Sequence, residues 1–354
     1  MTRGVGSAGL GLGVLAVGAA AGWLAERAVV REPLGRGEPA RAYGSLRSTP
    51  RSLTLDDGVE LYLEIDEARP ASPYPGLTVV FLHGYALNLD CWHFQREHFS
   101  GLVRTVWVDQ RGHGRSGRGP EGSHDIDRLG LDLAQVIAAV APEGPVVVVG
   151  HSMGGMTVLA LAHHAPELFD GRVVGAGLLC TSAGGLGDVP LGLPRQLGAL
   201  VHRAAPRVVS ALARRPELVE RTRRSGSDLG ALLTRYYSFA TPVAPGVVDF
   251  ASEMLGATPL MVISDFLPAF DNHDKANAVD VLQRCETLVL GAQQDLMTPV
   301  EHSLAMARLL PGGRLRILDP GGHLAILEHP DEVNLELRDL LDGAWALAGL
   351  RGLR

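Results

Sequence analysis

The run Val146-Val147-Val148-Val149-Gly150-His151-Ser152-Met153-Gly154-Gly155 decides the fold. Four β-branched residues in succession read as a strand buried on both faces of a parallel sheet. Gly150, Ser152 and Gly154 then form a Gly-x-Ser-x-Gly. Met156 to Ala165 follows with helical spacing, Met156, Leu159, Ala160 and His163 recurring at that period. Strand, tight turn and helix in this order make a nucleophile elbow. The glycines answer a steric need. The turn holds Ser152 in a strained conformation, and a Cβ at either neighbour would strike the strand or the helix. The serine hydroxyl is pushed out of the top of the sheet, and the backbone N–H of Met153 points the same way.

Outward from this run the chain alternates strand and helix. Ser52-Leu53-Thr54-Leu55 and Val59 to Ile65 flank Asp56-Asp57-Gly58 and predict a hairpin. Leu77 to Leu82 is a buried strand ending in His83-Gly84-Tyr85. A short helix follows at Asp90 to Phe99, then a strand at Val103 to Val108 and a helix at Ile126 to Val140. Beyond the elbow, strands are expected at Val173 to Leu179, Thr287 to Gly291 and Arg314 to Leu318, with helices at about Val300 to Leu310 and Glu332 to Leu347. This rhythm predicts an α/β fold: a mainly parallel central sheet with helices on both faces. Residues 184–271 break it. They are helical and rich in arginine, and read as a helical cap inserted into a core of residues 51–183 and 272–350.

These stretches together resemble the α/β-hydrolase family. The likeness is carried by His83-Gly84-Tyr85, by Asp109-Gln-Arg-Gly-His-Gly-Arg-Ser116, by the Ser152 elbow, by Gly291-Ala-Gln-Gln-Asp295-Leu-Met-Thr-Pro299, and by Gly321-Gly322-His323 with Glu328 and Pro330. It covers about Ser52 to Leu341. A serine hydroxyl needs an adjacent base, and the base needs an orienting carboxylate. The resemblance implies His323 as base, with His329 the nearest rival. Asp295 is the expected acid and Asp188 the alternative, giving the chain order Ser, Asp, His that this fold uses. An oxyanion needs donors. The N–H of Met153 is one, and by resemblance that of Tyr85 is the other, leaving the Tyr85 side chain free to line the pocket. His83 and His151 are expected to brace loops, and the Asp109 to Ser116 turn to pack under the elbow.

A serine nucleophile implies an acyl-serine intermediate, hence cleavage of an ester, thioester or amide in a small-molecule or lipid-like acyl substrate. A cofactor-free perhydrolase on the same Ser152, Asp295 and His323 is the alternative. The rival of another class is a hydrolase-fold binding protein without turnover. No cofactor and no metal are expected. Three scattered cysteines give neither a disulfide framework nor a metal spacing. Among thirteen histidines no pair has ligand spacing with a carboxylate on one helix, and His163 and His164 should point apart. The net charge of −7 gives no case for nucleic acid.

The first residues pose a question of place. Gly4 to Ala25 carries no charge, and as a helix at ~1.5 Å per residue it would reach across a hydrocarbon core of roughly 30 Å. Residues 1–31 therefore read as a membrane anchor followed by a linker, 32–50. Arg27, Arg31, Arg36 and Arg41 lie after the segment and only Arg3 before it, which would keep the catalytic body cytoplasmic. The competing reading is a secreted protein whose signal peptide is cleaved after Ala19-Ala20-Ala21. The arginines of the cap read either as a solvated helix face or as attraction for anionic headgroups.

Overall fold

The alternating residues around Asp56-Asp57-Gly58 do form a hairpin. Strands β1 (Pro50–Thr54) and β2 (Glu60–Asp66) pair antiparallel, with Leu61 and Leu63 buried and Glu60 exposed. The computed structural model describes residues 42–120, 122–194 and 227–353, with 196, 204 and 209. After the hairpin come β3 (Thr78–Leu82), α1 (His93–Phe99), β4 (Arg104–Val108), α2 (Ile126–Val140), β5 (Val146–His151), α3 (Met153–His164), α4 (Glu167–Asp170) and β6 (Val173–Leu179). Further on are α5 (Ser227–Ser238), α6 (Pro245–Ala257), α7 (Leu260–Asp271), β7 (Glu286–Ala292), α8 (Val300–Leu309), β8 (Arg314–Leu318), α9 (Ala325–Glu328) and α10 (Pro330–Leu350).

The strands form one eight-stranded sheet in the order β1-β2-β4-β3-β5-β6-β7-β8. From β4 to β8 in that order every pairing is parallel, while β1 and β2 are antiparallel. The valine run is the central strand, and its side chains alternate between two cores. Val147 and Val149 pack with Trp92, Phe99, Leu337 and Leu340 on one face. Val146 and Val148 pack with Leu133, Val136 and Leu159 on the other. Each of the four is 1% exposed or less, which is why the sequence here shows a continuous apolar run and no alternation.

Three boundaries differ from the sequence reading. The elbow helix begins at Met153, directly after the serine, because Gly154 and Gly155 are already helical despite their low propensity. The expected helix from Asp90 splits into a 3-10 turn, Leu89–Trp92, capped by the Asn88 side chain, and α1. The last helix starts at Pro330, whose missing N–H costs nothing at a first helical position, with His329 as its N-cap residue.

Between β6 and β7 the described segments of the insertion are helical. Its two ends meet in a bridge between Gly184 and Asp274, and Lys275 N–H donates to Ala183 O at 2.7 Å. Helices α6 and α7 are broken at Thr258-Pro259, since the proline pushes Thr258 into extended backbone. No single helix among the described residues is long and apolar enough to cross a membrane. The stretch Gly4 to Ala25, residues 32–41 of the linker, and the arginines of the cap between residues 195 and 224 lie outside the described residues.

Candidate active site

The elbow is strained in the way its glycines require. Ser152 has φ 52° and ψ −119°, an unfavourable region for a residue with a side chain. A Cβ at Gly150 would lie 2.2 Å from the Gly154 carbonyl oxygen, and one at Gly154 would lie 2.1 Å from Leu82 O. The turn is pinned from outside as well: Ser152 N–H donates to Leu179 O at 2.9 Å, and Thr181 Oγ1 donates to Ser152 O at 2.7 Å.

His323 lies beside it, in the loop between β8 and α9. Its Nε2 is 3.0 Å from Ser152 Oγ and its Nδ1 is 2.8 Å from Asp295 Oδ2. The structure thus brings Ser152, His323 and Asp295, the three predicted residues, into one hydrogen-bonded chain. Asp188 is exposed and His329 sits at the start of α10, so neither rival competes for this position. Asp295 is buried, which pushes its pKa up. The imidazole beside it and hydrogen bonds from Thr298 outweigh burial, so the carboxyl group is held below its usual value. Met297 N–H and Thr298 N–H donate to its Oδ1 at 2.8 and 2.9 Å, and Thr298 Oγ1 donates to Oδ2 at 2.8 Å. Thr298 was quoted in the family likeness without a role. Its spacing of three from an aspartate in a turn is the signal that could have found it.

His83 and His151 brace loops, as expected. His151 Nε2 is 2.8 Å from His323 O, so it donates there and fixes the base's backbone. His83 Nε2 accepts from Gln110 N–H at 3.0 Å. Burial holds both imidazoles neutral, each with a pKa lowered to about 3. The Asp109 turn packs under the elbow through Gln110, which donates to His83 O and accepts from Thr157 on α3. Glu328 has a larger role than the sequence suggested. Its buried carboxylate accepts from Gly322 N–H at 2.6 Å, and from Ala240 N–H at 2.8 Å at the end of α5.

The His83-Gly84-Tyr85 loop runs against the serine: a Cβ on Gly84 would stand 3.2 Å from Ser152 Cβ. Among the described residues neither Tyr85 N–H nor Met153 N–H has a protein acceptor. The Tyr85 side chain lines the cavity over the serine, as expected, but it is also anchored. Its hydroxyl donates to Ile263 O on α7, and its ring packs on Phe270 at 4.9 Å. The next residue, Ala86, holds a left-handed φ of 60°, and its carbonyl accepts from Thr258 Oγ1 at 3.0 Å. Helix α7 and the break before it therefore grip this loop. Over the serine lies a cavity of about 570 Å³, bounded by the loop, Met156 and helices α5 to α7.

One expectation about metals needs correction. His163 and His164 do not point apart: α3 ends at His164, and the two rings meet at 4.8 Å. With Asp127 they offer three ligand atoms within 4.8 Å of one another at the surface. The Lys275 ammonium already lies 3.1 Å from the Asp127 carboxylate, and His164 Nε2 lies 2.6 Å from it.

An α/β sheet carrying an elbow serine, a loop histidine and a buried aspartate is an arrangement suited to hydrolysis, and the fold that holds it is shared with known proteins. The chain belongs to the alpha/beta hydrolase family, whose profile matches residues 79–336, and it is an enzyme of esterase-like kind. A non-heme chloroperoxidase of Streptomyces lividans is 36% identical over 129 residues, 36% of this chain and 43% of that protein. A putative carbamate hydrolase RutD of Agrobacterium fabrum is 27% identical over 75% of this chain and 92% of its own length. Among solved structures, a thermophilic esterase from Thermogutta terrifontis superposes with TM-score 0.66 at 25% identity, covering 84% of this chain and 99% of its own.

Proposed function

We propose that the protein is a serine hydrolase that cleaves a carboxylic ester, thioester or amide through an acyl-Ser152 intermediate. The observation that carries this is the chain from Ser152 Oγ to His323 Nε2 at 3.0 Å and from His323 Nδ1 to Asp295 Oδ2 at 2.8 Å. His323 removes the hydroxyl proton as Oγ attacks the carbonyl carbon. The oxyanion is received by the N–H groups of Met153 and Tyr85. Asp295, ionised, keeps the His323 proton on Nδ1 before attack and stabilises the imidazolium after it. Imidazolium then protonates the leaving alcohol. A water enters and attacks the acyl carbon as it gives a proton to His323, and the imidazolium returns that proton to Ser152 Oγ as the acyl–oxygen bond breaks and the acid leaves. The direct test is labelling by a fluorophosphonate, which should modify the wild-type enzyme at Ser152 and leave His323→Ala unmodified.

A perhydrolase is the second reading, favoured by the Ser-Met-Gly-Gly run and by the chloroperoxidase likeness. It shares every step up to the acyl-serine, with hydrogen peroxide in place of water as acceptor. The peracid formed per acyl group released, measured in both nucleophiles, separates the two.

The grip of the insertion on the Tyr85 loop has a consequence for rate. Thr258→Val keeps the shape of the side chain and removes its donor to Ala86 O. Loss of a whole oxyanion donor costs ~10²–10³-fold; loosening one is expected to lower kcat about tenfold with little change in KM. Thr258→Ser should restore it. An unchanged kcat in Thr258→Val would show that the loop holds itself.

For Gly4 to Ala25 the reading remains that of a membrane anchor with the catalytic body on the cytoplasmic side. The support is its length, its lack of charge and the arginines that follow. The full chain is expected to sediment with membranes, and a form starting near Arg41 to be soluble and active. A mature N-terminus at about residue 22 would instead mean a cleaved signal peptide.

A further inference from the structure

The cavity above Ser152 is walled by Leu233 of α5, Leu255 of α6, Leu267 of α7, and by Leu186, Val189 and Met156. Three of its hydroxyl groups outside the triad are engaged within the protein. Tyr85 donates to Ile263 O, Tyr237 to Leu191 O at 3.4 Å, and Thr298 to Asp295 at 2.8 Å. Among the described lining residues there is no lysine or arginine, and the one carboxylate outside the triad is Asp271. The described part of this wall rewards apolar surface. Bringing a carboxylate against these apolar side chains would strip its water.

Resting on the serine-hydrolase reading above, we infer that the substrate is an uncharged ester whose acyl part is an apolar chain of medium length, about six to ten carbons. The size follows from the volume. At a water's ~30 Å³ share of liquid per non-hydrogen atom, about 570 Å³ holds roughly fifteen to twenty such atoms. That matches an octanoyl ester with a small aromatic alcohol. The acyl side is chosen because the acyl group stays bonded to Ser152 through both half-reactions, so its burial stabilises both transition states. The alcohol must leave, and it is best served by the open side. Leu233, an apolar side chain of the α5 wall, is the position at which a larger residue should shorten the chain accepted.

The experiment is a series of p-nitrophenyl esters, acetyl to dodecanoyl, on the full-length enzyme, with Ser152 labelling run in parallel. Each methylene newly buried is worth about fourfold at most. The expected profile of kcat/KM therefore climbs about two- to fourfold per methylene, and octanoate exceeds acetate by at least ~50-fold before the profile falls at dodecanoate. An acyl chain of the same length ending in a carboxylate, the mono-ester of suberate, should run at least ~10-fold below octanoate. Leu233→Trp should cut the octanoate-to-acetate ratio by ~10-fold or more. A labelled, active enzyme with a flat or falling profile, or one that takes the suberate ester as well as octanoate, overturns this inference and leaves the serine-hydrolase reading standing. An enzyme neither labelled at Ser152 nor active on any ester overturns both.

Discussion

Ser152→Ala is expected to lower ester turnover by ~10⁴-fold or more while the protein stays folded. The size of the loss follows from covalent catalysis: without Oγ there is no acyl-enzyme, and only the oxyanion donors and substrate binding remain. The fold should survive because the strain at this position belongs to the backbone. Alanine has the same Cβ, meets the same steric limits at φ 52°, and loses only a hydroxyl whose partner is the partly accessible His323. Thermal unfolding within a few degrees of wild type, together with abolished kcat and abolished fluorophosphonate labelling, is the expected result. A variant with activity within tenfold of wild type would remove Ser152 from the chemistry.

Asp295→Asn is expected to cost about as much in kcat, ~10⁴-fold, with substrate binding retained. The neighbours dictate why. Met297 N–H and Thr298 N–H both point at Oδ1, so the amide must put its oxygen there. Its NH₂ is then left at the Oδ2 position, facing His323 Nδ1. Two donors cannot face one another. His323 answers by carrying its proton on Nε2, where it meets Ser152 Oγ and cannot accept the serine proton. The measurement is kcat and KM on one ester, alongside Asp188→Asn, which should be near wild type because Asp188 is exposed. The opposite ranking of the two variants would move the acid to Asp188.

How much of this was readable beforehand depended on whether an interaction was local. The start of the valine strand, the helix Ile126–Val140 and the strand Val173–Leu179 were legible to the residue, because burial on one or two faces imprints itself on consecutive side chains. Ser152, Asp295 and His323 were legible because each sits in a turn that closely follows a strand, and turns carry glycine and proline signatures. What was hidden is the traffic between the insertion and the body. Tyr85 and Ile263 are 178 residues apart, and Thr258 and Ala86 are 172 apart. Nothing in either neighbourhood announces the other. The helix start at Met153 was missed for a different reason: two glycines in a first turn argue for a loop by propensity, and tertiary constraint overrode them. The meeting of His163 and His164 was missed because strict helical geometry was extended to the last turn.

Glu328 has one further implication. A single buried carboxylate holds the end of α5 through Ala240 and Thr241 and, with its other oxygen, the Gly322-His323 loop. Lifting α5 away would strand that carboxylate, at a cost of at least ~1–3 kcal/mol for an unsatisfied buried acceptor, and would tug the base off the serine. This corner therefore behaves as a fixed post. Any movement of the insertion that spares this corner leaves the base in place on the serine, so that access and assembly of the triad are separate matters.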